Sequence, residues 1–228
     1  MSEKRSTASS AIASILRLVS GIVIICACVF LPAGTFNYWQ AWAWLGSLFI
    51  PMIFSLVYLV KRDPALLERR VRTKETRTEQ KWIIALSMVY FLVIFLLPGF
   101  DKRYGWSNVP VWLVLLADFG VLAGYGIYIW VLSANSFASR VIEVEQGQKV
   151  ITSGPYALVR HPMYLGMILL MISTPLALGS FWAFIPSFAL IPMLAARAKN
   201  EEELLMNDLP GYREYTQKTR SRLFPGIW

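Results

Sequence analysis

Four stretches of this sequence stay apolar and nearly uncharged for about 20 residues each, the length a helix needs to cross roughly 30 Å of hydrocarbon. They are Ile12–Pro32, Trp39–Val60, Trp82–Phe100 and Pro110–Ala134. Soluble domains spread apolar residues along one face of each element. Here a chain that is 56% hydrophobic gathers them into blocks. The pattern predicts an all-α, polytopic membrane protein with four transmembrane helices. A fifth apolar region, Met163–Ala196, is broken by Pro175, Gly179 and Ser180, with Pro186 and Pro192 further on. Its halves, Met163–Leu178 and Phe181–Ala196, are each short for a crossing at about 1.5 Å per residue. They read as a helical hairpin that enters and leaves at one face.

The 228 residues suit one membrane domain with no second soluble one. Residues 1–134 are expected to form transmembrane helices 1–4, with a basic loop at 61–81. Residues 135–228 are expected to hold the hairpin and a cytoplasmic polar region. Lys4 and Arg5 ahead of an apolar run imitate a signal peptide, but Arg17 and the length of the run favour a retained first span. Cys26 and Cys28 sit inside that run, point different ways on a helix and have neither metal nor redox spacing. No metal is expected.

Charge placement sets the expected orientation. Of the 22 Lys and Arg residues, all but Lys102 and Arg103 fall before or just inside the first span, in Lys61–Lys81, or from Arg140 onward. Positive charge stays inside, so both termini and these segments are expected on the cytoplasmic side. A prokaryotic plasma membrane and the endoplasmic reticulum both fit. The basic excess suits anionic lipid headgroups better than nucleic acid. The Lys61–Lys81 loop, interleaved with Asp63, Glu68, Glu75 and Glu79, reads as a short solvated connector, either irregular or helical. Asp118 falls inside the fourth span, where a carboxylate is either functional or an interhelical hydrogen-bonding group.

From Asn135 onward the texture turns polar. Gly154-Pro155 is a turn signal. Pro162 suits the first position of a helix and leaves His161 at its N-cap. The helix start favours a bound carboxylate, and Arg160 adds a guanidinium to it. His161 is the one histidine of the chain. Alone it would read as structural; beside Arg160, Tyr156 and Tyr164 it becomes a candidate. Arg197 and Glu201 are four apart and share a helix face. A hairpin would bring them back to Arg160, His161 and Tyr164. The resulting acidic and basic groups around one cavity suit a zwitterionic ligand.

These elements carry a likeness. They are Gly154-Pro155-Tyr156, Arg160-His161-Pro162-Met163-Tyr164-Leu165-Gly166, Arg197 with Glu201-Glu202 and Leu205, Gly211-Tyr212-Arg213-Glu214-Tyr215, and Arg222-Leu223-Phe224-Pro225. Together they resemble the isoprenylcysteine carboxyl methyltransferase family, whose wider group includes the phospholipid N-methyltransferases. The likeness covers about Asn135–Trp228. It implies S-adenosyl-L-methionine as methyl donor, bound in a cytoplasmic pocket. Carried over by motif, the cofactor contacts fall on Gln148, Lys149, Val150 and Ile151, on Tyr156, His161, Pro162, Met163 and Tyr164, and on Glu201. Arg197 matches a position near the substrate, with Arg160 and Glu202 as supporting residues. Gln148 stands where the isoprenylcysteine enzymes often have His. Arg140–Gly147 aligns loosely, with Glu143 as its candidate contact.

The likeness implies a lipophilic acceptor, such as an isoprenylcysteine carboxylate, arriving from the bilayer. A second resemblance, to NADPH-dependent membrane reductases of the steroid or sterol type, rests on a similar C-terminal arrangement with an Arg-His-Pro-x-Tyr element. The Arg197/Glu201-Glu202 spacing and the Gly-Pro-Tyr turn favour the methyltransferase. A transporter or scaffold would pair charges within the spans, where Asp118 alone qualifies.

Overall fold

A computed structural model describes residues 2–71, 78–139 and 144–228. All regular structure among them is helical: α1 (Ser2–Ala33), α2 (Trp39–Arg62), α3 (Pro64–Val71), α4 (Thr78–Tyr104), α5 (Val111–Ala134), α6 (Pro162–Ala177), α7 (Phe181–Ser187), α8 (Leu190–Asp208) and α9 (Tyr212–Lys218). A single 3₁₀ turn, Gly154–Ala157, precedes α6.

Among the described residues five helical stretches are long and apolar enough to cross a membrane: Ile12–Ala33, Trp39–Arg62, Ala85–Tyr104, Val111–Ala134 and Phe181–Asp208. The expectation was four. The fifth arises because α7 and α8 are separated by just Phe188 and Ala189, so together they run much farther than Phe181–Ala196. Helix α6 is short, at 16 residues. It nonetheless turns back against α7 and α8 as a hairpin, through Gly179 at φ +75°. Large apolar side chains such as Leu31, Phe54, Leu116 and Ile185 stand exposed along the outer faces, as lipid-facing positions must.

Polar groups inside the bundle find local partners, since hydrocarbon offers none. The Tyr38 hydroxyl donates to the Leu178 carbonyl at the hairpin turn. Trp44 Nε1 donates to Thr174 Oγ1 at 3.2 Å. Asp101, 1% exposed, accepts from the backbone N–H and hydroxyl of Ser107 and from the hydroxyl of Ser180. These contacts fasten the hairpin tip. Exposed Trp39, Trp42, Trp106, Trp112 and Trp182 lie at helix ends on that same side, an aromatic belt of the kind found at bilayer interfaces. Among the described residues buried Asp118 has no hydrogen-bond partner. Cys26 and Cys28 carry free, half-buried thiols.

Two features hold the opposite end, where the candidate residues gather. Helices α5 and α6 approach closely at Gly124 and Gly166: a Cβ on Gly124 would sit 2.6 Å from the Gly166 carbonyl oxygen. The second feature corrects an expectation. Pro64–Val71 is the helical form of the expected connector, but it is not simply solvated. Leu66 and Leu67 are buried against Leu59, Val131 and Leu132. The same helix sends Arg69 and Arg70 over the segment after α5. Arg69 Nε pairs with Glu145 at 2.6 Å and its guanidinium lies over Phe137. A connector's charge pattern cannot show this, because the burial comes from distant helices.

Candidate functional site

The local chain direction around His161 follows from two prolines. Pro155 is the second residue of the 3₁₀ turn and Pro162 occupies the first position of α6, with His161 as its N-cap. Pro162 has no N–H to satisfy and its fixed φ suits a helix start. The backbone N–H groups of Arg160 and His161 donate to the carbonyls of Ser221 and Arg222, each at 2.9 Å. The C-terminal segment therefore takes up the two amides just ahead of α6.

Arg160 is similarly engaged. Buried at 8% exposure, it donates through Nε to Glu202 at 2.6 Å and through Nη1 to the carbonyls of Thr219 and Arg220. Glu202 also accepts from His161 Nε2 at 3.2 Å and from Arg222 Nε at 2.9 Å. Three donors around one buried carboxylate, 3% exposed, compensate its loss of water. This network sews α6, α8 and the C-terminal segment together. A carboxylate oxygen can only accept, so Nε2 is the donor in the contact with Glu202. The imidazole stacks on the Tyr164 ring, with centroids 5.4 Å apart and planes 7° off parallel.

In front of this network lies a cavity of about 720 Å³. Gln148, Lys149, Val150 and Ile151 line one wall; Tyr156, His161, Pro162, Met163 and Tyr164 line another. Arg160, Arg197 and Glu201 also border it. Glu202 does not line it and stands behind. Glu143 lies outside the described residues. Glu201 accepts from the Tyr164 hydroxyl at 2.6 Å, and its Oε2 is 3.7 Å from His161 Nδ1. Arg197 Nε donates to the same tyrosine oxygen at 3.1 Å. The two ends of the hairpin thus meet in an Arg197–Tyr164–Glu201 chain.

Several lining residues escaped the sequence reading. Arg70 and Tyr128 border the cavity, as do Asn135, Tyr212 and Tyr215. Asn135 Nδ2 donates to the Tyr156 hydroxyl at 2.8 Å. Burial pushes the Tyr156 phenol up to about 12 despite that hydrogen bond, so it keeps its proton to give. Tyr215 donates to the Tyr156 carbonyl at 2.7 Å. The Tyr212 hydroxyl, by contrast, is buried with no hydrogen-bond partner among the described residues. A buried, unmatched hydroxyl at a cavity wall is costly unless a ligand meets it. Tyr212 and Tyr215 belong to the quoted Gly-Tyr-x-x-Tyr element, which was their available signal; Arg70 had none.

The cavity has two characters. Its polar part is the one just described. Its apolar part runs between α4, α6 and α8, along Met88, Phe91, Met167, Met193 and Leu194. Met88 is 65% exposed and Met167 38% exposed, so this part opens on the outer, apolar surface of the bundle. Among the described residues, no three of His, Cys, Asp and Glu are grouped as a metal ion requires.

Fold and site define a class: a polytopic helical membrane protein with a polar pocket at the helix ends and an apolar branch toward lipid. Residues 114–207 match the model of the isoprenylcysteine carboxyl methyltransferase (ICMT) family, the same likeness that the sequence motifs carry. The matched stretch holds most of α5, all of α6 and α7 and nearly all of α8, including His161, Arg197, Glu201 and Glu202. Arg70, Tyr212 and Arg222 lie outside it. No curated protein matches the chain.

Proposed function

We propose that the protein is an S-adenosyl-L-methionine-dependent methyltransferase acting on a lipophilic acceptor, a carboxylate such as that of an isoprenylcysteine. The observation that carries this reading is the single cavity with a zwitterion-matching polar part and an apolar branch open toward lipid. When bound, S-adenosylmethionine supplies a methyl group on a sulfonium, which an acceptor oxygen displaces in line while the sulfur keeps the bond electrons.

The residues present fit such a donor. The unmatched Tyr212 hydroxyl and the protonated Tyr156 offer hydrogen bonds. Glu201 is placed for the amino acid ammonium or a ribose hydroxyl. His161 and Pro162 shape the wall at the start of α6. Arg197 shares its helix with Met193 and Leu194 of the apolar branch, which suits it to hold an acceptor carboxylate whose tail lies among those residues. A carboxylate needs no general base, so the chain's work is orientation and water exclusion. The positive-inside rule then puts this face in the cytosol, with the donor entering from water and the acceptor from the bilayer. Residues 1–134 act chiefly as the membrane frame and residues 135–228 as the cofactor-binding region.

The test is to incubate the purified chain with methyl-labelled S-adenosylmethionine and membrane extract, then characterise the labelled product. Transfer to a lipid-soluble, base-labile ester is expected. Binding of NADPH without binding of S-adenosylmethionine would replace this reading with the reductase. Unchanged affinity for the methyl donor in both His161→Ala and Glu201→Ala would overturn the site assignment.

A further inference from the structure

Three guanidinium groups border the cavity, and they are not equivalent. Arg160 is committed to Glu202 and two backbone carbonyls. Arg197 belongs to the chain with Tyr164 and Glu201. Arg70 comes from α3, far outside the matched stretch. It is half-buried, and its contacts are to neutral groups at long distances. Nη1 faces the carbonyls of Ala138 and Ser139 at 3.3 and 3.5 Å and the Met163 sulfur at 3.4 Å. Nη2 donates to the Tyr128 hydroxyl at 3.2 Å, and the guanidinium lies over that ring. Among the described residues no carboxylate pairs with it.

A half-buried guanidinium with neutral partners favours an anion. Its position selects which one. Arg70 touches Met163, on the polar side of the cavity, while the apolar branch is bounded by Met193 and Leu194 below Arg197. The Tyr156 phenol feels both Glu201, which opposes its ionisation, and Arg70, which favours it. Tyr156 therefore sits in the fields of an acid and a base that border the same cavity. An amino acid group, with its ammonium and carboxylate a few ångströms apart, matches that arrangement.

Resting on the function proposed above, we infer that Arg70 binds the carboxylate of the methyl donor's amino acid moiety, opposite Glu201, so that α3 completes the cofactor site. Arg69, clamped on Glu145 and Phe137, holds α3 in place for this contact.

The test uses the full chain in detergent or nanodiscs, without acceptor. Affinities are measured for S-adenosylhomocysteine and for its decarboxylated counterpart, in wild type, Arg70→Gln and Arg70→Met. Wild type is expected to prefer the carboxylated ligand about 10- to 100-fold, the range for a hydrogen bond to a charged group. Either variant loses that preference while binding the decarboxylated ligand nearly as well as wild type does. Equal weakening of both ligands would mean that Arg70 merely holds the segment at 138–139, and would overturn the inference. So would a wild-type preference near one, which needs no variant to fold. A preference unchanged in the variants, with acceptor use impaired, would assign Arg70 to the acceptor carboxylate instead. Failure of wild type to bind either ligand would refute the proposed function itself, a separate outcome.

Discussion

Glu201 and Glu202 are consecutive on α8, yet their carboxylates serve different surroundings. Glu201 faces the cavity and accepts from Tyr164; Glu202 is buried behind it among Arg160, His161 and Arg222. A helix turns about 100° per residue, enough to separate a ligand-facing carboxylate from a structural one. Removing one partner of a buried ionic network costs about 3–5 kcal/mol, since the rest stays buried and unpaired. Glu202→Ala is therefore expected to lower the melting temperature sharply, or to prevent folding, with Glu202→Gln milder. Glu201→Gln is expected to melt near wild type and to bind S-adenosylmethionine more weakly. Thermal unfolding in detergent beside ligand titration checks both, and a reversed ranking would refute the division.

Tyr212 and Tyr215 give a second contrast. They pack together, with ring centroids 5.6 Å apart, but the Tyr215 hydroxyl is spent on the Tyr156 carbonyl while that of Tyr212 is unmatched. Tyr215→Phe should cost about 0.5–1.5 kcal/mol of stability, an ordinary hydrogen bond. Tyr212→Phe should leave the ligand-free protein as stable or slightly more so, because it removes a buried unsatisfied group. Its effect should appear as a smaller ligand-induced rise in melting temperature. Loss of ligand-free stability in Tyr212→Phe would show that its hydroxyl has a protein partner.

How much of this could be read from the sequence depends on range. Span positions follow from local apolar length, so the starts of α2 and α5 were legible to within a residue. Hydropathy stops at the hydrocarbon edge, and α4 accordingly runs beyond Trp82–Phe100 at both ends. The N-cap role of His161 was legible because Pro162 fixes its own φ. The grouping of Arg197 and Glu201 with Tyr164 was legible once the hairpin was assumed. Arg70 was not: it meets Met163 across 93 residues, and no local pattern distinguishes it from Arg69. The duty of Arg160 was likewise hidden, since its partners lie on α8 and in the C-terminal segment.

The far end of the hairpin provides a test remote from the site. Asp101 joins Ser107 after α4 to Ser180 before α7, and the Ser180 hydroxyl in turn caps α7 by accepting from Ala183 N–H. Asp101→Ala leaves the Ser107 and Ser180 donors unmatched, at about 1–3 kcal/mol for a buried unsatisfied group. The expected result is a lower melting temperature, with donor affinity close to wild type at temperatures where the protein stays folded. Proteolysis at the 178–180 turn should also accelerate. A selective loss of donor binding without loss of stability would show that the tip communicates with the site.

The contact of α5 with α6 fixes where α6 begins, and hence where His161 and Tyr164 stand. A Cβ on Gly124 would meet backbone on two sides, 2.6 Å from the Gly166 oxygen and 2.8 Å from the Leu170 nitrogen. One on Gly166 would fall 2.8 Å from the Gly124 oxygen. Backbone atoms cannot rotate away as a flexible side chain can, so the helices must separate. Overpacking of this kind costs about 1–3 kcal/mol, and close approach of small residues is a principal source of helix association in membranes. Gly126, two residues along the same helix, has nothing within 4 Å of its Cβ position. Gly124→Ala and Gly166→Ala should each lower stability and weaken S-adenosylmethionine binding together, because the shift of α6 carries the cavity wall with it. Gly126→Ala should be neutral in both measurements. Equal behaviour of the Gly124 and Gly126 variants would mean that the α5–α6 contact is not what positions the start of α6.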